Sequence, residues 1–159
     1  MEKLSLILWR ERELLETLLF KLETEQLILA SARTRWLGRA SAEVEEVVQQ
    51  IRETEVLRAT ASDEAAEGVG LAASASLLAL AEAAPEPWAT IMVEHRQAFV
   101  TLTAEVNALA GSNRELITAG YRSAREAMLA LEAEGAGGYT PDGQAVTGTR
   151  GPVFVDRSL

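Results

Sequence analysis

The sequence predicts an all-α protein: an elongated antiparallel bundle of three long helices, with a short linker helix and a flexible C-terminal tail. Three observations lead there. Ala, Leu, Glu and Arg dominate, while aromatics make up only 5% of the 159 residues, a composition that suits helices better than pleated sheet. Apolar residues recur at spacings of three and four over long stretches. Glycine and proline pairs, Gly68 with Gly70 and Pro85 with Pro87, punctuate those stretches.

The first helix is carried by Leu4, Leu8, Leu15, Leu19, Leu22, Gln26 and Leu29, with charged residues filling the positions between. About 30 helical residues extend roughly 45 Å. Gly38, after Trp36 and Leu37, reads as the helix stop, and Ser41 as the N-cap of the next helix. From Ala42 to about Glu67, Val44, Val47, Val48, Ile51, Leu57, Ala61 and Ala65 keep helical spacing with smaller side chains. This second helix is expected to return antiparallel to the first. The Ala-rich segment AASASLLALAEAA then reads as a short linker helix stopped by Pro85 and Pro87.

Pro87 opens the most regular pattern in the chain. Trp88, Met92, His95, Phe99, Leu102, Val106, Leu109, Asn113, Leu116 and Gly120 alternate spacings of four and three without a slip, a seam of coiled-coil type. Gly111, Ser112 and Glu115 resemble a helix stop and a fresh cap, but the seam keeps its phase across them. One helix from Pro87 to about Glu134 is therefore predicted. Residues 1–134 are read as the helical domain and 135–159 as a Gly- and Thr-rich flexible tail. Within the tail, Tyr139, Pro141-Asp142-Gly143 and Val153–Val155 are the segments able to pair or dock.

Charge and composition narrow the function classes. A formal charge of −9 repels a nucleic-acid backbone and an anionic membrane surface. No uncharged run reaches the ~20 residues needed to cross a bilayer. The chain has no cysteine, which removes thiol chemistry, disulfides and Cys-type zinc and fits a reducing cytoplasm. The single histidine, His95, has Met92 rather than Glu three residues before it, so the di-iron bundle pattern is not met. No nucleophile elbow, phosphate loop or cofactor fingerprint appears, and the reading is a non-enzyme without cofactor or metal.

The remaining signal is a surplus of apolar residues, which either stays open for a partner or belongs to the intramolecular core or a homodimer seam. Ile7, Leu14 and Leu18 lie partly off the first stripe, and Ile91, Ile117, Tyr121, Ala124 and Met128 lie beside the last. The surplus is densest in NRELITAGYRSAREAML. There Asn113 is an amide on the seam, which fixes helix register or hydrogen-bonds a bound backbone, and Gly120 permits close approach. Leu116, Ile117, Tyr121, Ala124 and Met128 are placed to line a shallow groove for an amphipathic helix of another protein.

The segments LWRERELLETLLFKLETEQLIL, AEVEEVVQQIRETEVLRA, APEPW and NRELITAGYRSAREAM, in that order, resemble the FlgN-type flagellar export chaperones over about residues 4 to 134. YTPDG and the closing VDRSL are similar to tails seen in some members. The resemblance implies a small acidic cytoplasmic helical protein that holds the C-terminal helical segments of hook-filament junction (hook-associated) proteins before export, with the flagellar export apparatus as a further partner. It also implies that the last helix binds the cargo, through Asn113, Leu116, Ile117, Gly120, Tyr121, Ala124 and Met128. The competing reading is a structural coiled-coil homodimer or scaffold that uses the same apolar surface on itself.

Overall fold

A computed structural model of the chain describes residues 1–136. Four helices and one 3-10 turn follow in order: α1 (Glu2–Ala30), the turn Thr34–Trp36, α2 (Leu37–Gly68), α3 (Leu77–Ala83) and α4 (Trp88–Ala136). No strand occurs among the described residues. The all-α architecture, three long helices with a short linker helix, is as the periodicity predicts. The expected tail segments from Tyr139 to Val155 lie outside the described residues.

The chain divides into two compact units, Met1–Ile117 and Thr118 onward. In the first, α2 runs antiparallel to α1: ion pairs join Lys3 to Glu64, Glu11 to Arg58 and Lys21 to Glu43. The N-terminal part of α4 runs parallel to α1. One 86-residue offset relates Trp9 to His95, whose rings meet edge to face, and Gln26 to Ser112, which share a 3.0 Å hydrogen bond. In the second unit the described residues are all helical and belong to α4.

The helix boundaries depart from expectation at α3, which begins at Leu77 rather than Ala72, and at the end of α1. α1 ends at Ala30, not at Gly38. Ala32 takes the left-handed conformation (φ 54°), its N–H donates to the Leu29 carbonyl, and the Arg33 N–H donates to the Ile28 carbonyl. This paired closure is a Schellman cap. It escapes sequence reading because an alanine sits where glycine is usual. Gly38 and Ser41 accordingly lie inside the first turns of α2 rather than between helices. The same cap ends α2 as expected, with Gly70 (φ 78°) at the left-handed position and the Leu71 N–H donating to the Ala66 carbonyl.

Ser76 caps α3, accepting from the Ala79 N–H at 3.1 Å, and α3 buries Leu80 and Ala81. α4 passes Gly111 without interruption.

The core is two apolar clusters. Leu4, Leu8, Ala61, Ala65, Ala66, Leu80, Ala81 and Met92 form one, and Leu14, Leu18, Leu22 and Val47 form the other. Leu14 and Leu18 are thus core residues, and Ile7 and Ile91 pack against the first cluster. The expected apolar surplus on α1 is spent inside the bundle. Leu57, expected in the core, is exposed, and Thr54 and Ala61 take the buried positions on that stretch of α2.

Between the clusters in sequence lie buried Glu11 and Thr54, with Arg58 beside them. Thr54 returns its hydroxyl to the Gln50 carbonyl. Arg58 Nε stands 2.9 Å from Glu11 Oε2, yet neither atom has a hydrogen-bond partner: the pair is close, but the N–H is not aimed at the oxygen. Burial, the largest influence, raises the Glu11 carboxyl above its ordinary value against the opposing pull of Arg58, and neighbouring Glu55 raises it further.

Candidate partner-binding helix

Burial along α4 follows the seam and then stops. Met92, His95 and Asn113 are buried, and Phe99, Leu102, Val106 and Leu109 are half-buried. From Arg114 to Ala133 every residue is exposed. A seam that repeats in one phase is therefore used as core over only part of its length.

His95 lies between Trp9 and Phe99, with ring centroids at 5.0 and 6.2 Å. Its Nε2 is buried without a partner. Burial, and secondarily the positive charge of Arg12, hold its pKa below the ordinary 6.5, opposed by Glu94. It is a neutral core side chain. Among the described residues no group of three or more His, Cys, Asp or Glu could hold a metal ion.

Asn113 stands apart from the other six expected binding residues. It is 2% exposed. Its Nδ2 donates to the Leu22 carbonyl at 2.9 Å and to Glu25 Oε2 at 3.0 Å, so both amide hydrogens are used within the bundle, while Oδ1 is buried without a partner. Glu25, itself buried, accepts the Ser41 hydroxyl at 2.6 Å on its other oxygen. One carboxylate thus joins α1, α2 and α4.

Sequence reading missed Glu25 and Ser41, although a signal existed. Leu4, Leu8, Glu11, Leu15, Leu18, Leu22, Glu25 and Leu29 alternate spacings of four and three, and the two glutamates occupy core places on that repeat.

The remaining expected residues are all exposed. Leu116 and Ile117 close the first unit, each close to two-fifths exposed. In the second unit Tyr121 is 72% and Met128 63% exposed, and Gly120 and Ala124 are exposed as well. A Cβ added at Gly120 would meet nothing within 4 Å. Tyr121, Ala124, Met128 and Leu131 follow spacings of three, four and three, which aligns them on one face of the helix. Four large apolar side chains (Tyr121, Met128, Leu129, Leu131) lie open within one 11-residue stretch.

Leu6, Trp9, Phe20 and Leu27 on α1 and Val56 and Leu57 on α2 are also exposed. The groove lined by Arg12, Glu16, Glu94, Gln97, Ala98, Thr101 and Leu102 is mixed in character. No described helix is long and apolar enough to cross a membrane.

Neither the curated proteins nor the solved structures yield a match. The family model described as FlgN protein matches residues 1–147, nearly the whole chain, in keeping with the resemblance carried by the helix order and the NRELITAGYRSAREAM segment. The chain belongs to the FlgN protein family, a family of flagellar export chaperones.

Proposed function

We propose that this chain acts in the cytoplasm as the chaperone of hook-filament junction proteins, binding a helical C-terminal segment of the cargo along the exposed part of α4. The observation that carries the reading is the open apolar face of Tyr121, Ala124, Met128 and Leu131. Gly120 admits close backbone approach beside it, and Leu116 and Ile117 are proposed as further contacts in the first unit. Asn113, with its amide hydrogens engaged internally, is assigned no contact with cargo.

The physical logic is coverage. A segment destined for coiled-coil packing in a filament is disordered or self-associating beforehand, and laying its apolar stripe on another helix blocks that. Ordering the segment on binding costs several kcal/mol, which keeps affinity moderate and permits release at the export apparatus. A surface built of Tyr, Met, Leu and Ala discriminates little by itself, so the cargo's polar flanks set specificity.

Covering Tyr121, now 72% exposed, removes on the order of 100 Å² of ring surface from water, roughly 2 to 3 kcal/mol before ordering costs. Tyr121→Asp should therefore weaken binding by at least roughly tenfold. The test is calorimetric titration of the full chain with the C-terminal helical segment of a hook-associated protein. A one-to-one complex, weakened by Tyr121→Asp and Met128→Asp with helicity unchanged, is expected. Absence of both heat and co-elution, or affinities untouched by both substitutions, would rule the reading out. If sedimentation shows the free chain to be a dimer that these substitutions dissolve, the homodimer reading takes its place.

A further inference from the structure

The α4 seam is periodic enough to create a difficulty that the buried amide resolves. Because Trp88 to Gly120 repeats every seven residues, sliding α4 along α1 by one heptad, ~10 Å, returns an apolar seam to an apolar face. One slip puts Phe99 in the place of Met92 and Val106 in the place of Phe99; the other puts Met92 in the place of Phe99 and Phe99 in the place of Val106. Such a shift would either carry α3, anchored by buried Leu80 and Ala81, along with α4 or straighten the short link 84–87 between them. The repeat of the α4 seam by itself therefore does not choose one alignment.

Polar groups do. Glu25 is buried, and its oxygens take donors from Ser41 and Asn113. One heptad away from Asn113 lie Val106 and Gly120, neither of which has a side-chain donor. Either slip strands a desolvated carboxylate oxygen, a large cost for a buried polar group, and removes the second hydrogen bond at the Leu22 carbonyl. A slip in one direction would also draw Leu116 into the packed seam in place of Leu109. We infer that the Glu25–Asn113 pair is a register lock, which selects one alignment of the first-unit part of α4 on α1. This inference does not rest on the proposed function, and its test uses no cargo.

The chain contains no cysteine, so introduced pairs report alignment directly. Gln26→Cys with Ser112→Cys places thiols at the native contact. Gln26→Cys with Glu105→Cys, or with Ala119→Cys, reports a slip of one heptad either way. With Glu25 and Asn113 intact, a short thiol-specific cross-linker should join only the native pair. In Asn113→Leu, and in Glu25→Leu/Asn113→Leu, where the stranded carboxylate is gone, slipped products should rise by at least roughly tenfold relative to the native one. Cross-linking confined to the native pair in both leucine variants overturns the inference. So does loss of helicity in both, since the pair would then support the fold itself rather than choose among packings.

Discussion

Arg58→Met tests the polar layer of the bundle directly. Glu11 is 7% exposed, and its carboxylate group is held near a guanidinium whose side chain is 40% exposed. Stripping the partner from a fully buried pair costs about 3–5 kcal/mol, whereas an exposed pair is worth ~0–1 kcal/mol. Solvent reaches Arg58 but hardly Glu11, so an intermediate loss of about 2 kcal/mol at neutral pH follows.

The loss should depend on pH. Folded Glu11 has a pKa above its ordinary 4.5, so the native chain holds that proton more tightly than the unfolded one, and stability falls as pH rises through the interval just above 4.5. Removing Arg58, which pulls the pKa down, widens that interval. The deficit of Arg58→Met should therefore shrink on acidification toward the folded pKa of Glu11. Replacing both, Glu11→Leu/Arg58→Met, leaves no desolvated charge between the two apolar clusters and should restore stability to wild type or above. Urea unfolding followed by circular dichroism at about pH 7 and about pH 5 measures all three. A loss below ~0.5 kcal/mol for Arg58→Met, or the same loss at both pH values, would refute this account of the layer.

Two backbone substitutions should each stabilise the fold. Ala32→Gly relieves a left-handed residue that costs an L-side chain roughly 1 kcal/mol. Gly111→Ala should gain about 0.5–1 kcal/mol, since a Cβ there meets nothing within 4 Å and the helix is unbroken. Thermal unfolding read by circular dichroism would detect either; a lower melting temperature for Ala32→Gly would mean that the cap is not what ends α1. His95 gives a second pH signature of opposite sign. Its depressed pKa means that its contribution is complete above 6.5 and is lost as pH falls below that value, because the unfolded chain then binds the proton more readily. His95→Leu, denatured across that interval, should show a flatter dependence, and an unchanged slope would place the titration elsewhere.

Much of the fold was legible because helical periodicity is local. The unbroken α4 could be read through Gly111 from the phase of its seam, and α2's end could be read at Gly70. Where reading failed, a local rule was met by an uncommon residue. Ala32 adopts the conformation that glycine normally takes, so α1 stops seven residues before Leu37, and Leu14 and Leu18, taken as spare, are core. Glu11 and Glu25 are among the charged residues between the apolar positions of the first helix, yet each occupies a core position beside a partner far along the chain, Arg58 or Asn113.

The sequence by itself determined the helix class and the order of the long helices, since composition and spacing act within a few turns of chain, and its segments carried the likeness to the family. Only the tertiary structure decided that Asn113 faces inward to a carboxylate while Tyr121 and Met128 stay open to solvent. Both kinds of residue sit on the same helix with similar local signals. What separates them is the presence of α1 and α2 beside the first and exposure to water at the others, a difference created by contacts between residues some 90 positions apart.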